Sequence, residues 1–295
     1  MELNYTVTND CKYLNINQIL VNEFNISARL RSKLIRLKCI YKNSAVADTR
    51  DYVSTGDIIT ISFDYSEDNS NIVPTKMALD IIYEDSWLIV VNKPAGIPVH
   101  PSILHYTDSL SNGLCYYFNS IGLNKKIRPV NRLDLNTSGL VVFAKCEYVQ
   151  EQLSFQMQND RFKKEYICLV SGLLEKKSGI INLPIARKPG SIIERCIDKN
   201  GQPSITEFTV LKEFDEYSLV KCILKTGRTH QIRVHFSYIG NPLLGDSLYG
   251  SSSTLITRQA LHSYTISFIH PINHKSLNFI APIPEDIDLL IKNTY

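Results

Sequence analysis

The spacing of apolar residues changes along the chain, and the changes divide it into unequal parts. Leu30, Leu34 and Leu37 recur at i, i+4 and i+7, which predicts a helix with a single apolar stripe, begun at Ser27 as N-cap. The chain then passes through Cys39-Ile40-Tyr41 toward a strand over residues 57–63. The polar run Ser66-Glu67-Asp68-Asn69-Ser70-Asn71 reads as a linker, with a domain boundary near residue 75. From residue 79 onward the pattern turns strand-like, in runs over 87–91, 139–144, 166–170 and 217–224. Val149, Leu153 and Met157 keep helical spacing between two of these runs. Strands with intervening helices and no regular βαβ repetition predict an α+β fold: a small N-terminal α+β module over 1–75, then a larger domain over 76–295 built on a mixed, mostly antiparallel sheet.

Composition adds little until charge is located. The 295 residues are 44% hydrophobic with 13 Gly and 12 Pro, as in ordinary folded chains, and the net charge of +3 is too modest to indicate a nucleic-acid partner by itself. However, Arg29, Arg31, Lys33, Arg36, Lys38 and Lys42 fall within fourteen residues that contain no acid. A cationic helix on a small sheet suits phosphates, and it also suits a plain solvated surface. The seven cysteines lie more than twenty residues apart without a C-x-x-C pair, so we expect reduced, half-buried thiols in a cytoplasmic protein. The N-terminus lacks the features of a secretory signal, and no apolar run approaches the roughly 18 residues that cross a bilayer, so no membrane association is expected.

The chain contains no G-x-G-x-x-G, P-loop, H-E-x-x-H or G-x-S-x-G, which removes support for dehydrogenase, NTPase, zincin and common α/β-hydrolase readings. His270 and His274 stand four apart, but Pro271 between them breaks a metal-binding helix, so they read as structural. Two segments remain. Asn131 to Leu140 is a polar loop entering a buried strand, where Asp134 suits either chemistry or a turn in which it caps backbone amides. In Lys225 to Phe236, Gly227 ends a strand, Thr229 suits a helix cap, Ile232, Phe236 and Ile239 face inward, and Gly240 stops the helix. An arginine at such a turn can hold a carboxylate by charge and paired hydrogen bonds, or simply satisfy carbonyls.

Arg132-Leu133-Asp134-x-x-Thr137-Ser138-Gly139-Leu140, Gly227-Arg228-Thr229-His230-Gln231-Ile232-Arg233-Val234-His235 and Gly240 to Asp246 with Tyr249-Gly250 resemble the signatures of the RluA-type pseudouridine synthases. Asn92-Lys93-Pro94-Ala95-Gly96 with His100, Lys164-Glu165-Tyr166, and Leu261-His262 followed by His270-Pro271 extend the match from residue 80 to 282. The stretch before it resembles a degenerate S4-type RNA-binding module, as in the RluD-like branch, through its Arg-rich helix, a short turn and the late Gly56-Asp57. Asn131 replaces a frequent His, and Cys168 stands where Ala is usual; either is read as subfamily variation.

The resemblance implies that the protein turns a uridine in RNA into pseudouridine without cofactor or metal, acting as a monomer. It makes Asp134 the catalytic nucleophile or base, gives Arg228 the salt bridge that keeps Asp134 charged and aimed, and sets Tyr166 against the uracil with a part in removing the C5 proton. Arg132 would fill the space left by the flipped base, and Asn131 would bear on how its neighbours are read. Arg29, Arg31, Lys33, Arg36 and Lys38 would grip phosphates. Ribosomal large-subunit (23S) RNA is the first expected substrate and transfer RNA the second. Two other classes stay open: a glycoside hydrolase, for which Asp246 is a weak second carboxylate, and a non-catalytic RNA-binding protein.

Overall fold

In the computed structural model, which describes residues 1–250 and 253–292, the chain opens with β1 (Glu2–Thr6), α1 (Ile16–Asn22), α2 (Ala28–Arg36), β2 (Ile40–Lys42), β3 (Ala45–Val46) and β4 (Ile58–Ser62). The four strands form one antiparallel sheet in the order β1-β4-β2-β3. Helix α2 starts where the sequence predicts, with the Ser27 side chain accepting from the Leu30 amide. Leu30 and Leu34 are buried, but the helix ends at Arg36, so Leu37, expected in the apolar stripe, is 40% exposed beyond its last turn.

A ten-stranded sheet follows. Its elements are β5 (Asp80–Glu84), β6 (Leu88–Lys93), α3 (Leu110–Ser120), β7 (Arg128–Pro129), β8 (Ser138–Ala144), α4 (Glu147–Gln158), β9 (Lys163–Ser171) and β10 (Ser178–Asn182). A two-stranded ribbon, β11 (Ile185–Arg187) with β12 (Arg195–Ile197), precedes β13 (Ile205–Glu213), β14 (Tyr217–Leu224), α5 (Gln231–Tyr238), β15 (Leu261–Ile269), β16 (Ser276–Ile280) and α6 (Glu285–Lys292). The strand order is β10-β13-β14-β9-β15-β8-β6-β5, with β16 against β15 and β7 against β8. Only β15 and β8 run parallel, so the sheet is mixed and mostly antiparallel, as the sequence predicts.

Strand β8 is buried along its whole length, which explains its unbroken apolar run. Leu140, Val142 and Ala144 face a core shared with the N-terminal sheet, while Val141 and Phe143 pack toward α3 on the other side. At the mouth of this strand only glycine fits. Gly139 has φ +110°, and a Cβ there would lie 2.2 Å from the Ser263 carbonyl oxygen of β15.

The polar segment 66–71, read as a linker, is pinned in place. Asn69 donates to the Lys125 carbonyl at 2.7 Å and accepts from the Ile127 amide at 3.0 Å. Glu67 is bonded to Arg128, and Lys33 of α2 reaches both Glu67 (3.0 Å) and Glu147 of α4 (2.8 Å). Burial pushes the Glu67 carboxyl up, but the Arg128 and Lys33 charges outweigh it and hold the group below its usual value.

The thiols are free, but five of the seven (Cys39, Cys115, Cys146, Cys168 and Cys222) are buried rather than half-buried, packed as small apolar side chains. His270 is structural, as expected: its Nε2 meets Asp85 at 2.9 Å and its Nδ1 accepts from the Ile272 and Asn273 amides. Among the described residues no helix is long and apolar enough to cross a membrane.

Candidate active site

Three pieces of chain converge at the end of the large sheet. The first is the loop before β8. Its backbone turns at Asp134, whose carbonyl accepts from the Thr137 amide, and it is supported from below by Lys93. That lysine is fully buried, and its three ammonium protons meet the carbonyls of Pro94 (2.8 Å), Ile97 (2.7 Å) and Leu135 (3.0 Å). Burial pulls Lys93 down to about 7, with the nearby Asp134 charge opposing. Asn131 ties the other side of the loop to β8, donating to the Leu140 carbonyl and accepting from the Val142 amide, so its amide is spent on this strand rather than on the neighbours of a flipped base.

The second piece is the turn from β14 into α5. Thr229 does not cap the helix; the N-cap is His230, in a left-handed conformation at φ 58° with no side-chain cap bond. The turn is shaped instead by the buried Gln231, whose side-chain oxygen accepts from the Thr226 hydroxyl and the Arg228 amide. Ile232 and Phe236 face inward as predicted, but Ile239 is 38% exposed because the helix ends at Tyr238. Gly240, at φ +90°, follows the helix end.

That geometry corrects the expected ion pair. Arg228 is exposed at the rim, where its Nε donates to the Pro203 carbonyl at 3.2 Å. Arg233, in the first turn of α5, supplies the bridge: its Nη1 donates to Asp134 Oδ2 at 3.1 Å. The rest of its guanidinium forks onto Asp246, with Nε to Oδ2 at 2.7 Å and Nη2 to Oδ1 at 2.9 Å. Asp246 is itself held by the Leu248 and Tyr249 amides, and the Tyr249 ring lies 5.1 Å below the guanidinium. The arginine is therefore set from behind, with its Nη1 turned to Asp134. Asp246, fully buried in this fork, is no second acid facing the pocket.

His230 adds to the same wall. The Tyr249 hydroxyl accepts from the Arg195 amide and is hydrogen-bonded to His230 Nδ1 at 2.7 Å. Its Nε2 lies 3.9 Å from Asp134 Oδ2. Burial lowers the imidazole below its usual value against the opposing Asp134 charge, which favours the neutral ring.

The third piece is β9, which places Lys164 and Tyr166 on one face. Asp134, Tyr166, Lys164, His230 and Arg233 line one pocket of about 380 Å³. Burial, first, and the Asp134 charge both push the Tyr166 phenol far above its ordinary value, so it stays protonated.

Arg132 is exposed at the mouth, on the wall both of this pocket and of a groove of about 1290 Å³ that runs between α2 and α4. Arg29, Arg36 and Lys126 line that groove with no ion-pair partner among the described residues. The other predicted cations divide. Lys33 is consumed by its two glutamates, Arg31 donates to the Ile26 carbonyl at 2.9 Å, and Lys38 is exposed just past α2.

Comparison with known proteins agrees with this architecture. Residues 87–238 match the family described as RNA pseudouridylate synthase. An uncharacterized RNA pseudouridine synthase of Bacillus subtilis is 35% identical over 297 residues, covering 99% of this chain and 98% of that protein. The ribosomal large subunit pseudouridine synthase D of Neisseria meningitidis is 38% identical over 273 residues, 87% of this chain and 73% of its own. Among solved structures, human RNA pseudouridylate synthase domain containing 1 superposes with a TM-score of 0.57 at 27% identity, covering 70% of this chain and 83% of that one. The pocket's carboxylate, arginine and tyrosine thus sit in a chain that belongs to the RNA pseudouridine synthases, isomerases that convert uridine to pseudouridine within RNA.

Proposed function

We propose that the substrate is a uridine of ribosomal large-subunit RNA, that Asp134 is the carboxylate starting its isomerisation, and that Tyr166 is the face against which the uracil lies. The observation that carries the reading is the carboxylate of Asp134, facing the pocket while Arg233 and Asp246 fix it from behind. The reaction breaks the N1 to C1′ bond, turns the uracil in place and joins C5 to C1′, with no electrons or outside atoms needed. A protonated Tyr166 suits a stacking and hydrogen-bonding role more than that of a strong base.

The uridine must leave its stack to reach the pocket, and Arg132 at the shared wall of pocket and groove is suited to the vacated space. We take residues 1–75 as an S4-like module and 76–295 as the catalytic domain, with Arg29 and Arg36 gripping phosphates along the groove and Lys38 doing so just past α2. A monomer working in the cytoplasm fits this reading. The large-subunit target rests on relatives named for it, at 35 to 38% identity.

The test is to incubate the protein with unmodified transcripts of large-subunit ribosomal RNA and of transfer RNAs, and to map pseudouridine at nucleotide resolution. Product confined to the ribosomal transcript supports the proposal. Product only in transfer RNA would overturn the target, and tight binding with no product in either would favour a non-catalytic binder.

A further inference from the structure

Four lysines of this chain are buried, and three of them meet oxygen. Lys93 bonds three carbonyls, Lys125 bonds the carbonyls of Phe63 and Tyr65, and Lys145 bonds Glu84 and the Asp85 carbonyl. The fourth, Lys164, is 6% exposed, and the one partner of its ammonium among the described residues is the thioether sulfur of Met157 at 3.9 Å. Among the described residues no carboxylate opposes its burial, which lowers its proton affinity. An ion so placed is costly unless an anion joins it.

The ammonium lies in the pocket of Asp134. It lines the same walls as Tyr166, two residues on along β9, and a Cβ at Gly227 would come within 3.3 Å of it, so the glycine of the turn keeps its approach clear. The cations free to meet a backbone phosphate, Arg132 among them, are at the mouth and in the groove. A buried lysine beyond them reaches a base, not the strand.

We infer that Lys164 is a catalytic residue whose ammonium binds the uracil carbonyl beside the reacting position and stabilises the uracil anion as it leaves C1′. This rests on the isomerase reading of the pocket. When the N1 to C1′ bond breaks, its electron pair goes to N1 and spreads onto O2 and O4. The pair returns through C5 to C1′, the C5 proton is lost to water and N1 takes up one in its place, so atoms and charge balance without a further reactant. Turning the ring about its N3 to C6 axis exchanges N1 with C5 and O2 with O4. One fixed cation therefore meets O2 while the first bond breaks and O4 while the second forms. A preorganised charge in a dry site is well suited to such a task.

The experiment compares wild type, Lys164→Met and Lys164→Arg in single turnovers at saturating RNA, on a target uridine and on the same site carrying 5-fluorouridine. Loss of the N-linked nucleoside is read by nuclease digestion and mass spectrometry, and RNA affinity by filter binding. Lys164→Met should react about 100-fold more slowly or worse on uridine, with unchanged affinity. The deficit should shrink at least severalfold on 5-fluorouridine, whose uracil leaves as a weaker base, and Lys164→Arg should recover part of the rate. The ratio between substrates is internal to each preparation, so a partly unfolded variant does not distort it. A full rate in Lys164→Met, an equal deficit on both substrates, or weakened binding with a full rate at saturation would each overturn the inference. Asp134→Asn run in parallel separates the two claims, since turnover by that variant would remove the isomerase mechanism beneath it.

Discussion

Replacing Arg233 by lysine isolates the contact on which the pocket depends. Its guanidinium spends two bonds on Asp246, at 2.7 and 2.9 Å, and one on Asp134 at 3.1 Å. A lysine keeps the positive charge but has a compact head, which cannot fork onto Asp246 and still reach Asp134. A hydrogen bond to a charged group contributes about 1.5–3 kcal/mol. At about 1.4 kcal/mol per factor of ten, losing the Asp134 contact should slow the single-turnover rate by about 10- to 100-fold. Arg233→Met goes further, leaving Asp246 buried with only the Leu248 and Tyr249 amides, and should cost about 3–5 kcal/mol of stability. Arg228→Lys disturbs one bond to a carbonyl at an exposed site and should leave urea-unfolding stability within about 0.5 kcal/mol of wild type. Tritium release from RNA labelled at uridine C5, measured beside urea unfolding for each variant, provides the assay. If Arg228→Lys lost more activity than Arg233→Lys at matched stability, the pairing of Arg233 with Asp134 would not be the one that matters.

Other consequences follow from residues whose surroundings are equally defined. Arg29→Gln, Arg36→Gln and Arg132→Gln should each flatten the dependence of log affinity on log salt by about 0.7 to 0.9, whereas Lys33→Gln, whose ammonium is held by Glu67 and Glu147, should cost stability and leave the slope nearly unchanged; equal slope changes for all four would contradict the division. His262 is buried and pulled down to about 4 by that burial, from an ordinary 6.5. Below pH 6.5 the unfolded chain takes up a proton that the folded chain refuses until about pH 4, so this group's contribution is lost on acidification across that window, by about 3 kcal/mol in all. Urea unfolding of His262→Gln should lack that component, and parallel curves for the two proteins between pH 6.5 and 4 would rule it out.

The sequence made some of this visible and hid the rest for physical reasons. Strand β8 is readable because both its faces are buried, which leaves an unbroken apolar run between a polar loop and a turn. Ser27 is readable as a cap because its effect is local. Arg233 was hidden because choosing between two arginines five residues apart requires knowing where α5 begins. Thr229 looks like the cap, but a left-handed His230 starts the helix, bonded to the distant Tyr249 and followed by Gln231, whose side-chain amide donates to Ile205 and Thr206 of β13. A sign was present in Asp246, a loop acid within the same group of motifs that needed a cationic partner. Lys33 was misread for the opposite reason: its helix contains no acid, and the two glutamates that occupy it lie 34 and 114 residues away. Lys164 stood in a quoted motif beside Tyr166, yet nothing local distinguishes a buried unpaired ammonium from a surface one.

The most direct test of the account is the release of tritium to water from uridine-C5-labelled, unmodified RNA by wild type and by Asp134→Asn, with RNA affinity measured for both. The account predicts release by wild type alone at equal affinity, because it assigns Asp134 to starting the chemistry and not to holding the strand. Release by Asp134→Asn at a rate near that of wild type would contradict it.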